Sequence, residues 1–189
     1  MRAGMDKNRL SVRDMAFIAA MSAVIAVCAW ITIPLAVPFT LQIFGVFMAL
    51  RLLGGKKGTL SILVYIALGA VGLPVFSGFQ GGIGVLAGPT GGYIAGFLLM
   101  GALYWALEKY LRGPILPEAM LLVGLIVCYT FGTAWFCTVM NDRGREVTFF
   151  SGLGTCVLPF ILPDLAKLFL SRLAAGQLKR ALRIKSAAR

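Results

Sequence analysis

Apolar residues run along this chain in long blocks, separated by short clusters of polar and charged positions. Six blocks stand out: Met15 to Ile33, about Leu35 to Leu53, Gly58 to Leu73, Tyr93 to Leu107, Ala119 to Met140, and Val147 to about Leu173. About 20 helical residues span the hydrocarbon core of a bilayer, and a helix satisfies its own backbone hydrogen bonds there, so each block predicts a membrane-crossing helix. Two blocks are awkward as full crossings. Pro34 and Pro38 interrupt the second near its outer end, and the third has sixteen residues before Pro74. Irregular backbone at membrane depth is tolerated where protein covers it or where it lines a cavity, so these breaks point to a site in the outer half of the membrane. Ordinary short, tilted helices with proline-bounded loops are the alternative.

The expected fold is an all-α integral membrane protein of six transmembrane helices with both termini cytoplasmic. It divides into a tail (1–14), a membrane domain (15–175) and a basic C-terminal tail (176–189). Composition agrees: the 189 residues are 59% apolar with mean hydropathy +0.89, too little polar surface to coat a soluble core. The net charge of +11 suits a nucleic-acid binder only if the cations share one surface, and they do not. Fifteen of the 18 Lys and Arg lie in the N-terminal tail, between Arg172 and Arg189, or in the two connections expected inside, Arg51 to Lys57 and Lys109 to Arg112. Arg143 and Arg145 lie in segments expected outside, and Lys167 lies within the last block. This is the positive-inside pattern of a membrane protein.

The absence of histidine removes His-based triads, His metal sites and histidine proton shuttles. Cys28, Cys128, Cys137 and Cys156 lack metal-ligand spacing and read as small hydrophobes. The N-terminal charges before an apolar run imitate a signal peptide, but no small-residue cleavage site follows, so a retained first span is expected.

Phe76 to Tyr93, "FSGFQGGIGVLAGPTGGY", holds seven glycines. It fails as a phosphate loop: "LLGGKKGT" nearby lacks the first glycine of the Walker spacing, and no βαβ unit surrounds the Gly82-Ile83-Gly84 run. Its place between two spans, its lack of charge and its apolar Phe76, Phe79, Ile83, Val85 and Leu86 suit an outside lid that dips into the protein.

The chemistry concentrates in "LPFILPDLAKLFL", where Asp164 and Lys167 are one helical turn apart on one face. If the helix leaves the membrane near Arg172, eight residues place Asp164 roughly 12 Å from that boundary. An ionisable pair at that depth reads by default as a functional site, with a structural pair or a snorkelling Lys167 as the alternative. Pro163 is expected to begin the helix after Pro159 breaks it, leaving Asp164 in a first turn. In the first block Ala16 and Ala20, and Ala19 and Ala23, have the small-xxx-small spacing of a close helix–helix contact, within the chain or with another subunit.

With "VPFTLQ" (Val37 to Gln42), "GLPVFSG" (Gly72 to Gly78), "GPTGGY" (Gly88 to Tyr93) and "LPF" followed by Asp164 and Lys167, the chain resembles the BioY family, the biotin-binding S components of energy-coupling factor (ECF) transporters. The resemblance implies a non-enzymatic protein of the bacterial cytoplasmic membrane that needs no cofactor and takes biotin as its ligand. It implies as partners a transmembrane coupling protein and two ABC-type ATPases, with the alanine face as the sliding surface. Asp164 and Lys167 fall on the family's polar pair, which contacts the ureido ring. Thr40 and Gln42 match the first outer connection, and Gly78, Gly81, Gly82 and Tyr93 match the loop between spans three and four. Two departures are visible. Leu162-Pro163 stands where Pro-Gly is common, and Phe79-Gln80 stands where smaller residues are common, which adds Gln80 to the expected ligand contacts.

Biotin brings two ureido N–H donors beside a carbonyl, an apolar thioether ring and a carboxylate on a four-carbon chain. Asp164 accepts from an N–H, while Lys167 donates to the ureido oxygen or to the carboxylate. A stand-alone biotin facilitator shares this pocket, and an intramembrane lipid-modifying enzyme is the remaining alternative, weakened by the lack of a nucleophile or metal cluster beside the pair.

Overall fold

A computed structural model describes residues 10–34 and 37–181. The first nine residues of the expected N-terminal tail, the last eight of the basic C-terminal tail, and Leu35 and Ala36 of the second block lie outside the described residues.

Ser11 caps helix α1 (Val12–Trp30): its hydroxyl accepts from the Asp14 N–H while the Asp14 carboxylate accepts from the Ser11 N–H. Asp14 also receives the Lys57 ammonium at 2.5 Å. After α1 the chain makes a small antiparallel hairpin, β1 (Thr32–Ile33) with β2 (Phe39–Thr40), pairing Thr32 with Thr40 and Ile33 with Phe39. The second block therefore becomes helical only at Gln42, and its proline-containing start is hairpin.

Helix α2 (Gln42–Ala70) carries the second and third blocks and is broken at Gly54 (φ 80°, ψ 178°), a backbone conformation that favours glycine. In an unbroken helix Leu50 and Gly58 would lie about 12 Å apart. Here a Cβ on Gly58 would come within 2.9 Å of the Leu50 Cα and 3.0 Å of the Ala49 carbonyl oxygen, so the two arms fold back on one another. The third helical segment consequently starts at Gly55 rather than at the expected Gly58.

The glycine-rich segment contains a 3-10 turn (Ser77–Phe79) and a short helix, α3 (Ile83–Leu86), before α4 (Gly91–Leu107). Helix α5 (Leu116–Asp142) lies close against α4, where a Cβ on Gly96 would be 2.8 Å from the Cys128 sulfur and one on Gly124 would be 2.5 Å from the Met100 Cγ. Small residues admit this approach. The last block divides into α6 (Phe149–Cys156) and α7 (Leu158–Ala181), bent by 49°. Helix α7 begins before Pro159, whose missing N–H costs nothing in a first turn, and Pro163 lies inside it. The expectation that Pro163 opens the helix is thus corrected, and Asp164 stands beyond the first turn. Helix α7 also continues through the start of the expected C-terminal tail.

Helices α1 and α5 are each long and apolar enough to cross a membrane, α2 reaches that length only over its two arms together, and α6 with α7 forms a further, bent candidate. Ile25, Val46, Phe47, Leu50, Ile62, Tyr65 and Leu121 are fully buried at the centre, whereas Val27, Ile126 and Phe169 face outward. All four cysteines are free and buried.

A charged clamp ties three helices together. The Arg51 guanidinium engages both Glu118 oxygens on α5, with Nη2 to Oε2 at 2.5 Å, and donates to the Ser171 hydroxyl (3.0 Å) and the Leu168 carbonyl (3.2 Å) on α7. Arg51 lies nine residues, about 14 Å of helix, from Gln42. The opposite end of the first arm of α2 is therefore left to line a cavity.

Candidate functional site

That cavity, of about 280 Å³, lies among the β1–β2 hairpin, the start of α2, the glycine-rich segment, α4, α5 and α7. Its polar wall is built on α7. The i to i+3 spacing brings Lys167 Nζ to 2.6 Å from Asp164 Oδ1, with the two side chains 6% and 8% exposed. Buried charges persist only when paired and hydrogen-bonded, and both are. Lys167 also donates to the Thr40 carbonyl oxygen at 2.8 Å and sits 3.9 Å from the centre of the Phe39 ring, a cation–π contact. Phe39 in turn stacks on Phe160 of α7, with centroids 5.9 Å apart. The second oxygen of Asp164 accepts from the Tyr129 hydroxyl of α5 at 2.6 Å.

Of the residues singled out from the sequence, Asp164, Lys167, Tyr93, Gln42, Thr40, Gly78 and Gln80 line this one cavity. Gln42 donates from Nε2 to the Tyr65 hydroxyl (2.7 Å), and the Tyr65 ring meets Phe76 edge-on. Tyr93 ties its hydroxyl to Thr133 (3.0 Å), a hydroxyl pair in which either oxygen can donate. Gly81 and Gly82 do not line the cavity. They pack the loop on the end of α2: the Gly82 N–H donates to the Gly69 carbonyl at 2.7 Å, and a Cβ on Gly81 would meet the Leu73 carbonyl oxygen at 2.3 Å. Of the apolar loop residues, Phe76 is buried and Val85 lines the cavity, while Phe79 and Ile83 are 64% and 71% exposed. Phe79 covers Trp30 instead. Ala16, Ala19, Ala20 and Ala23 lie away from the cavity, exposed along α1 on the face opposite its buried Ile18, Ser22 and Ile25.

Sequence reading missed Tyr129, Phe39 and Phe160. The only signal for Tyr129 was a hydroxyl within an otherwise apolar span, and its partner lies 35 residues away. The two phenylalanines lie within "VPFTLQ" and "LPF", stretches that carry the resemblance, but nothing in the sequence assigns either of them a place beside Lys167.

The wall thus presents an anionic acceptor beside a cationic donor, and Ile43, Ile94 and Phe97 add apolar surface. Its chemistry suits a small molecule with adjacent polar donor and acceptor atoms on an apolar body. Among the described residues no cluster of His, Cys, Asp or Glu is arranged to hold a metal ion.

Comparison with known proteins agrees along nearly the whole chain. The BioY family profile matches residues 5–184. The biotin transporter BioY of Thermotoga maritima is 40% identical over 160 residues, covering 84% of this chain and 91% of that protein. The probable biotin transporter BioY of Pyrococcus horikoshii is 39% identical over 162 residues with the same coverage. Among solved structures, a 2.1 Å crystal structure of the S-component for biotin from an ECF-type ABC transporter matches with a TM-score of 0.80 at 28% identity. The match covers 96% of this chain and 100% of that one.

Proposed function

This chain belongs to the BioY family, and from that premise we propose that it captures biotin outside the cell and takes it up as the substrate-binding S component of an ECF transporter. It is a transport subunit and not an enzyme, as its relatives' names indicate. The observation that carries the reading at the level of residues is the buried Asp164–Lys167 pair on the wall of a ligand-sized cavity. Asp164 accepts a ureido N–H and Lys167 donates to the ureido oxygen. The thioether ring lies against Phe97, Ile94 and the ring of Tyr93. Thr40, Gln42, Gly78 and Gln80 complete the surround, while Gly81 and Gly82 hold the loop in place over it.

The chain crosses the membrane six times with both termini in the cytoplasm. Two observations support this topology: the reversal at Gly54 makes two antiparallel arms of α2, and the Lys and Arg residues are strongly biased to one side. The cavity then opens outward, and the Arg51–Glu118 clamp closes the cytoplasmic end. The membrane is the cytoplasmic membrane. A transmembrane coupling protein and two ABC-type ATPases supply the energy, and the exposed alanine face of α1 is the surface on which the coupling protein slides. Purification of the tagged chain from its native membrane tests the assembly, since a stand-alone facilitator would come without ATPases.

The decisive experiment is a biotin titration on detergent-purified protein, repeated with Asp164→Asn and Lys167→Ala. Each substitution strands a buried charge or removes a charge-assisted bond, so affinity should fall by at least about 30-fold. Unchanged affinity in both variants would remove the site assignment even if biotin bound.

A further inference from the structure

We propose that the site reads the head of biotin and not the charge of its tail, so that biotin derivatives neutral at the tail end, amides and esters, are also ligands and cargo. This rests on the biotin reading above and extends its substrate class.

The first observation is electrostatic. Asp164 and Lys167 are the only acidic or basic side chains lining the cavity among the described residues, and they neutralise each other. No second cation among those residues stands on the wall to receive a carboxylate. Lys167 is itself occupied, since its ammonium serves Asp164, the Thr40 carbonyl and the face of Phe39. A ligand carboxylate bonded to that ammonium would lie within about 5 Å of the Asp164 carboxylate, two anions sharing one cation in a poorly solvated corner. A ureido group meets the same corner without conflict. It is neutral, and its N–H and carbonyl match the acceptor and the donor.

The second observation is what lies at the other end. With the ureido ring at Asp164 and Lys167, the four-carbon chain runs toward the mouth. That rim carries Thr32, Ser77 and Gln80, all uncharged, with the Thr32 and Ser77 hydroxyls 2.9 Å apart. Gln80, Gly78 and Pro34 there are solvent-exposed. A carboxylate at this rim keeps much of its water and takes at most neutral hydrogen bonds, which an amide or ester carbonyl also accepts.

The two cations nearest in topology do not change this. The Trp135 indole N–H donates to the Gly88 carbonyl at 2.9 Å, which sets the level of the loop on α5. Arg143 lies eight residues beyond Trp135, about 12 Å farther along the helix axis, and neither it nor Arg145 lines the cavity.

The test is a titration of the purified full chain with four ligands: biotin, biotinamide, biotin methyl ester, and the diamine left when the ureido carbonyl is removed. Removing or exchanging a neutral, solvated hydrogen bond changes affinity by about tenfold or less, whereas a buried charge left unpaired changes it by about 30-fold or more. The expected result is that the amide and the ester bind within about tenfold of biotin while the diamine loses at least about 100-fold. Unlabelled biotinamide should then compete with labelled biotin for uptake by cells carrying the complete transporter, and labelled biotinamide should itself accumulate. Loss of more than about 30-fold with both tail derivatives, with biotin binding intact, would overturn the inference and leave the biotin reading standing. A diamine that binds as well as biotin would reverse the head-to-tail placement and overturn it too. Failure of biotin itself to bind would remove the functional reading and this inference together.

Discussion

Tyr129→Phe removes one oxygen from the polar wall, and the structure says when that oxygen matters. In the wild type its hydroxyl donates to Asp164 Oδ2 at 2.6 Å, while Oδ1 holds Lys167. The ligand-free cavity is roomy and polar at this point, so water can replace the lost donor, and the fold should lose no more than about 1 kcal/mol. With biotin bound the same corner is dry. A hydrogen bond to a charged group is worth about 1.5–3 kcal/mol there, equivalent to about 10- to 150-fold in affinity. The assay pairs calorimetric titration with biotin and thermal unfolding of the empty protein in the same detergent. The expected outcome is an affinity lower by that factor with an almost unchanged unfolding temperature. Wild-type affinity would refute the placement of the ureido group at Asp164, and a variant that unfolds without ligand would show that Tyr129 serves packing alone.

Arg51→Ala removes both Glu118 bonds and opens the clamp among α2, α5 and α7; Glu118 is partly exposed and keeps Arg172 at 3.9 Å, so thermal unfolding in detergent should report a loss of about 1–3 kcal/mol, partly recovered by adding Glu118→Gln. Gly69→Val drives a side chain into Phe76, whose ring tip would lie 2.0 Å from the first added carbon; the displaced ring should weaken biotin binding by about tenfold, read by titration. Replacing Ala16, Ala19, Ala20 and Ala23 by leucine should abolish uptake by the assembled transporter while sparing biotin binding. Abolished binding with intact assembly would instead place that face in the fold of the subunit itself.

Several features were legible because they depend on residues close together in the chain. Hydropathy over windows of a helix length located the apolar blocks that become α1, the two arms of α2, α4, α5 and the bent α6–α7 pair, and Lys and Arg counts gave them an expected orientation, since transfer into lipid is governed residue by residue. The Asp164–Lys167 pair was visible for the same reason: three residues apart on a helix is a contact by geometry alone. The prolines at 34 and 38 correctly marked backbone that is not helix, although the antiparallel β1–β2 pairing was not foreseen.

Other features depend on chain segments that meet only after folding. The reversal at Gly54 lay inside "LLGGKKG", a run read as a polar connection without a defined turn, and the bend at Val157 had no marker stronger than the prolines that follow it. Packing between helices decided that Tyr129 completes the Asp164 environment across 35 residues, and that the Thr40 carbonyl and the Phe39 ring receive an ammonium from 127 and 128 positions away. The sequence by itself determined the class of protein, its apolar segments and the ionic pair, because desolvation and helical spacing are local. Only the tertiary structure decided which loop glycines face the cavity, which hold the loop, and which neutral groups surround the pair. Those assignments rest on shape complementarity between helices, and that is a property of the packed chain as a whole.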